Sequence, residues 1–192
     1  MAGRIWYILI ISIIIMVGII GYRSISIEDL TEIFTKSQKI LVSQSATLEI
    51  ERDTVEGEIH YFINSERQRL GLPQLGLNKE LANIARKHSE DMAFRNYFSH
   101  ITPEGHDLAF RYQKENFDCK LYLKNGFISG GGENIASAQY WQSQEDLAQS
   151  MVQSWMKSPL HRKNIETSYY ETEGIGIAIS KNSTIYVTQN FC

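Results

Sequence analysis

Residues 5–22, IWYILIISIIIMVGIIGY, carry no charge, and this run divides the chain before any globular fold can be considered. As a helix it would measure ~27 Å, close to the ~30 Å hydrocarbon core of a bilayer. A cleaved signal has a shorter apolar stretch, about 7–15 residues, followed by an Ala-x-Ala-like site. Ile19-Ile20-Gly21-Tyr22-Arg23 offers no such site. Residues 1–23 are therefore expected to be an N-terminal transmembrane helix that ties the chain to a membrane, with a removed secretion signal as the alternative. Charge does not decide the orientation, because Arg4 precedes the span while Arg23, Lys36 and Lys39 follow it.

The rest of the 192 residues suffices for one domain with a real core and is too short for two large ones. Hydrophobic residues make up 43% and charged residues 21%, which excludes a disordered or collagen-like chain. The formal net charge is −3, and setting aside residues 1–23 removes only Arg4 and Arg23 on the basic side. A mildly acidic domain lacks the electrostatic footprint of nucleic-acid binding, so nucleic acid is not an expected partner.

Residues 24–53 mix charges and scattered apolar residues without a sustained period, and read as a stalk with a short helix near 28–41. From residue 54 the pattern sharpens. Val55, Ile59, Phe62 and Ile63 share a helix face, with Asp53 and Glu56 spaced as a capping box and Gly71 and Pro73 as the stop. A second helix is expected from an Asn78 cap, with Leu81, Ile84, Ala85, His88 and Met92 on one stripe. Thr102-Pro103-Glu104-Gly105 is a turn, and a shorter helix should cover 107–115. Strand-like pieces fill 117–142 around a glycine run. A third long helix starts after Ser143, buries Ala148, Met151, Val152 and Trp155, and ends at Pro159. Ser158 can cap a following short helix that carries His161. Two alternating strands, around Ile175–Ile179 and Ile185–Phe191, close the chain through a Lys181-Asn182-Ser183 turn. Helices first and a hairpin last predict an α+β domain rather than βαβ units.

The histidines are the natural place to seek chemistry. His60 reads as a surface or edge residue, His88 as a hydrogen-bonded core residue, and His106 has no evident companion. His100 and His161 each lie just past the end of a long helix, and Glu133 follows three glycines. Helix ends meeting at a domain edge can bring two imidazoles into one cleft, and glycines let backbone approach closely beside a carboxylate. Two imidazoles and a carboxylate can hold a divalent metal such as zinc with an open position, or share protons as an acid–base cluster. The glycine run is not a phosphate loop, since no Gly-Lys-Ser/Thr follows, and no His-Glu-x-x-His is present. Cys119 and Cys192 fit one disulfide bridge better than a nucleophile.

Six segments, in order, resemble a known family: NSERQRLGLPQL at 64–75, LANIARKHSEDMAFRNYFSH at 81–100, GENIA at 132–136, SWMKSPLHRKNI at 154–165, GIGIA at 174–178 and YVTQNF at 186–191. They are similar to the CAP superfamily of cysteine-rich secretory proteins, antigen 5 and pathogenesis-related proteins, in its prokaryotic SCP-like extracellular branch. The resemblance implies that residues 54–192 form an α-β-α three-layer sandwich with a central antiparallel sheet and a large open cleft. In eukaryotic members two histidines and two glutamates line that cleft, and zinc is associated with it. By motif, His100 and Glu133 match the first histidine and the first glutamate. Ser158 and Tyr186 stand where the other two would be. His161, one helical turn beyond Ser158, belongs to the prokaryotic pattern. The expected cleft therefore gathers His100, Glu133 and His161, with Tyr186 and Gln189 close by. The leading expectation is an extracytoplasmic, membrane-tethered binding module for a peptide, glycan, lipid or metal. Its rival is a metal-assisted hydrolase in which the cluster activates water. A third reading makes the histidines structural.

Overall fold

The computed structural model describes residues 26–139 and 143–192, and only the backbone of residues 40–51. The expected transmembrane helix at 5–22 lies outside the described residues. Among these, no helix is long and apolar enough to cross a membrane. The chain divides into two compact units, Met1–Thr47 and Leu48–Cys192. The second contains every site discussed below.

Helix α1 runs from Ile27 to Arg69 as one element. The short helix expected near 28–41 and the separate helix expected from residue 54 are instead one continuous helix. Residues 24–72 contain no proline, so nothing interrupts the backbone ladder before the left-handed Gly71, φ 71°, and Pro73. Asp53 and Glu56 are consequently not a capping box. Both instead face Arg86 of the next helix, with Glu56 Oε2 2.5 Å from its guanidinium, and Glu56 Oε1 accepts the backbone N–H of Ile177. The expected apolar face is present, with Val55, Ile59 and Ile63 buried.

After Pro73 the chain forms β1, Gly76–Leu77, and then α2, Lys79–Arg95. Asn78 caps α2, its side chain accepting the N–H groups of Glu80 and Leu81. Asn96 ends it in the left-handed region, φ 57°. Leu81, Ile84, Ala85, His88 and Met92 form the buried stripe. Helix α3, Leu108–Lys114, starts at an Asp107 cap. A small hairpin of β2, Lys120–Leu123, and β3, Gly126–Ser129, precedes β4, Gly132–Ala138. Helix α4, Gln144–Lys157, begins at the Ser143 cap and is followed by α5, Pro159–Glu166. Ser158 occupies the cap position of α5 without donating or accepting a capping bond through its side chain, contrary to expectation.

Strands β5, Thr172–Ile179, and β6, Ile185–Phe191, complete a four-stranded sheet of order β1-β5-β6-β4. β4, β6 and β5 are antiparallel, but β1 runs parallel to β5, pairing Gly76 with Thr172. The central sheet is thus mixed rather than antiparallel, within an α+β domain. The chain leaving Pro73 lies alongside β5 before entering α2, and Asn78 N–H donates to the Glu173 carbonyl at 2.8 Å.

Alternation along the strands assigns the faces. Gly174 and Gly176 point at α2, where a Cβ on either would overlap the helix backbone at Leu81–Ala82 or Arg86. The same face carries Thr188, whose hydroxyl accepts from Ser89 of α2 at 2.8 Å. Ile175, Ile177 and Val187 point the other way and join the main core with Met151, Val152 and Trp155. Trp155 Nε1 donates to the Ile135 carbonyl at 3.0 Å, which satisfies its one polar atom while the ring is buried. Cys119 and Cys192 are bridged, with Cα atoms 5.6 Å apart.

Candidate functional site

His100 sits in the loop that follows α2. Two buried side chains pin that loop by its carbonyls. His88 Nε2 donates to the Ser99 oxygen at 3.0 Å, and Arg111 of α3 donates to the His100 oxygen at 3.1 Å. Glu133 enters from β4, where it pairs with Asn190 of β6. The preceding Gly132 leaves no room for a side chain, since a Cβ there would stand 2.7 Å from the Tyr170 hydroxyl. His161 comes from α5, and its carbonyl accepts from Asn134 Nδ2 at 3.2 Å.

His100 and Glu133 meet directly, with Nδ1 2.9 Å from Oε1. A carboxylate here only accepts, so Nδ1 carries the proton and Nε2 of a neutral His100 presents a lone pair. The second carboxylate oxygen, Oε2, accepts from Arg111 at 2.5 Å. Glu133 is 4% exposed at its side chain and Arg111 10%, whereas His100 is half exposed. The His161 ring centroid stands 6.2 Å from that of His100. Burial, and then the neighbouring His100, lower the His161 pKa below its ordinary value. A cleft of about 400 Å³ is lined by His100, Ile101, Tyr112, Gly131 and Glu133 among others.

Tyr186 and Gln189 are placed elsewhere. Tyr186 shares the sheet face of Glu133 but pairs with Ser137, four residues along β4, or roughly 13 Å at strand rise. It is packed in a small core with Met92, Ala93, Ile135 and Ala178. Gln189 points to the opposite face, where its Oε1 accepts from Asn134 at 3.0 Å and its Nε2 donates to Glu173 at 2.5 Å. The period-two alternation that makes both residues strand-like also separates them.

Residues without a sequence signal complete the surroundings. Arg111 looks like an ordinary helix cation until α3 is docked. Asn164 Nδ2 reaches the Glu133 carbonyl at 3.0 Å and Asn134 Oδ1 at 2.9 Å, joining α5 to β4. His60, expected at the surface or an edge, is partly exposed and lies 2.6 Å from the fully buried Glu173 carboxylate. His106, expected to lack a companion, stacks on Phe110 with centroids 3.6 Å apart. His88 is in the core as expected, and burial lowers its pKa.

The donor set does not fit a three-ligand metal. Both Glu133 oxygens are engaged, one of them by a guanidinium that competes with any cation. Among the described residues no group of three or more His, Cys, Asp and Glu side chains is arranged to hold a metal ion. What the site offers is an oriented, half-exposed imidazole at the edge of a cleft.

A sheet flanked by helices, with a Gly-Glu-Asn strand set against a loop histidine, defines a CAP-type domain. The model of the cysteine-rich secretory protein family matches residues 60–191, and the chain belongs to that family. Two Bacillus subtilis (strain 168) proteins are similar to it. YkwD is 33% identical over 123 residues, and the membrane protein YlbC is 32% identical over 138 residues. These alignments cover 63% and 72% of this chain but only 41% and 34% of the relatives, so the chain spans well under half of either. Among solved structures, an extracellular protein containing an SCP domain from Bacillus anthracis str. Ames superposes with a TM-score of 0.54 at 30% identity, covering 73% of this chain and 40% of that one.

Proposed function

We propose that this chain is a membrane-tethered, extracytoplasmic CAP-domain binding module, folded as a three-layer α-β-α sandwich. The observation that carries the reading is His100: half exposed, oriented by the buried Glu133, and bordering a cleft of about 400 Å³. Its Nε2 lone pair suits a ligand that offers a hydrogen-bond donor, as peptides and glycans do. His161 flanks the same imidazole, with its ring centroid 6.2 Å away. The extracytoplasmic placement is supported by the Bacillus anthracis protein described as extracellular, by the membrane protein YlbC, and by the uncharged run at 5–22. The hydrolase alternative has less support, because the carboxylate that would activate water is already committed to Arg111 and His100.

Full-length protein in nanodiscs, screened against peptide and glycan arrays, tests the reading. Wild type should retain at least one ligand class, and His100→Ala should weaken that binding about tenfold, the scale of one lost hydrogen bond to an oriented acceptor. Equal retention by both proteins would remove His100 from recognition. Turnover of a retained peptide or glycan would move the assignment to the hydrolase.

A further inference from the structure

Residues 27–39 of helix α1 are exposed throughout, yet they include four large apolar side chains. Ile27, Leu30, Ile33 and Phe34 are 81%, 55%, 58% and 67% exposed. The start of this helix is fixed by its own side chains. The Ser26 hydroxyl accepts the Asp29 N–H at 3.1 Å, and the Asp29 carboxylate accepts the Ser26 N–H at 2.9 Å, a reciprocal cap. From there the helix runs unbroken to Arg69, so its first half holds an apolar face in water.

Once α1 is one continuous helix, the stretch that reads as an aperiodic stalk shows a seven-residue repeat. Ile27, Phe34, Leu41 and Leu48 recur at intervals of seven. Leu30 follows the first of them by three positions, and Ile33 and Ile40 each precede the next by one. With Ile27 as position a of a heptad, the charged residues between 27 and 48 are Glu28, Asp29, Glu32, Lys36 and Lys39. All five fall at b, c or f, and positions a, d, e and g carry no charge. A coiled coil needs this division, an apolar seam at a and d with charges turned outward. Ser37 and Gln44 at d make the seam softer than a leucine-rich one. A straight helix drifts ~20° per heptad, so apolar residues kept at a strict spacing of seven fit a supercoiled partner with the same spacing.

We propose that residues 27–48 pair with the same residues of a second copy of this chain as a parallel coiled coil. The second copy supplies a seam of identical spacing, with Ile27 and Phe34 facing their own counterparts. The parallel orientation rests on the membrane tether proposed above, which starts both helices from one surface. Tethering also raises the local concentration of the two helices, which offsets the soft d positions. A lipid surface is the competing cover for an apolar helix face beside a membrane. Helices that lie on membranes carry Lys and Arg on their polar face. Here Glu28, Asp29 and Glu32 outnumber Lys36 and Lys39, so the charge favours a protein partner.

The test is oxidative cross-linking of the full chain in cell membranes, with single cysteines introduced on the two faces of the helix. Cys119 and Cys192 are bridged to each other, so the introduced thiol is the free one. Leu30→Cys and Ser37→Cys, both at d, should form disulfide dimers about tenfold or more faster than Glu32→Cys and Lys39→Cys, both at f. Adding Phe34→Glu to Ser37→Cys should lower its rate to that of the f positions, because a charge would enter the seam. Equal rates at all four positions would mean random collision and overturn the proposal. Cross-linking at 37 without 30 would also overturn it, as the mark of an antiparallel pair. So would a Leu30→Cys thiol that neither cross-links nor reacts with an aqueous maleimide while Glu32→Cys does react, which is the pattern of a helix lying on lipid. Alkaline extraction of the same membranes separates this result from the tether. The d-specific pattern in chain released by alkali would keep the coil and remove the tether, whereas its absence in chain that stays with the lipid would remove the coil alone.

Discussion

Glu133 is a carboxylate held almost out of water, and Arg111 sets the opposite charge 2.5 Å from it. Arg111 does more than neutralise. Its fork also binds the His100 carbonyl, so one side chain fixes both the charge of Glu133 and the loop that carries the imidazole. A lysine lacks the fork whose two separate nitrogens reach the two acceptors here. Replacing Arg111 with methionine keeps the bulk and removes the charge, which strands a buried carboxylate with only His100 beside it. Arg111→Met should cost about 3–5 kcal/mol in urea unfolding, the range for breaking one partner of a buried ion pair. A cost below about 1 kcal/mol would mean that His100 alone suffices to hold Glu133. The two burial-shifted histidines add a sign. Folded-state pKa values below the ordinary one for His88 and His161 mean that the unfolded chain binds more protons as pH falls through ~6.5, so their contribution is complete above that pH and declines below it.

At the scale of elements, the contact between α2 and the sheet depends on residues that have no side chain. Gly176 faces Arg86 so closely that any Cβ would meet helix backbone, which cannot move aside as a flexible side chain could. Gly176→Ala should therefore destabilise by about 3 kcal/mol, the upper part of the range for overpacking, and displace α2 together with the His100 loop that follows it. Thermal unfolding read alongside His100 chemical shifts would check both parts, and an unchanged midpoint would show that α2 can slide. Elements such as α2 and the β5–β6 hairpin were legible because cap, periodicity and turn residues agree locally: Asn78 before the Leu81 stripe, Lys181-Asn182-Ser183 between alternating runs. The His100–Glu133 encounter was suggested by the helix ends and the glycine run and strengthened by motif resemblance, although 33 residues separate the two in sequence. The rest was not legible, for identifiable reasons. Asp53 and Glu56 have capping-box spacing, yet their partner is Arg86, a tertiary contact that local reading does not contain. β1 is two residues long and exposed, too short to show alternation. Arg111 is an unremarkable cation in a short helix until Glu133 arrives from another element.

For the molecule as a whole, the Cys119–Cys192 bridge ties the β2–β3 hairpin region to the end of β6 across 73 residues of sequence. That loop encloses β2 to β6 together with α4 and α5, so it also encloses Glu133 and His161 from the candidate site. In the chain-entropy model a closed loop of this length removes enough freedom from the unfolded chain to contribute roughly 4 kcal/mol. The Cα separation of 5.6 Å lies within the normal range for a bridge. Bridges of this kind persist in oxidising compartments, which agrees with the placement proposed for residues 24–192. Membranes prepared with free thiols blocked at lysis should yield a non-reducing peptide map containing the Cys119–Cys192 pair. Reduction should then lower unfolding stability by roughly 4 kcal/mol, with the loss confined to the stability and not to the secondary structure content under native conditions. Two blocked thiols in that map would place the domain in a reducing compartment and withdraw the extracytoplasmic assignment. An intact bridge whose reduction changes nothing would instead mean that the unfolded chain already keeps these two segments together.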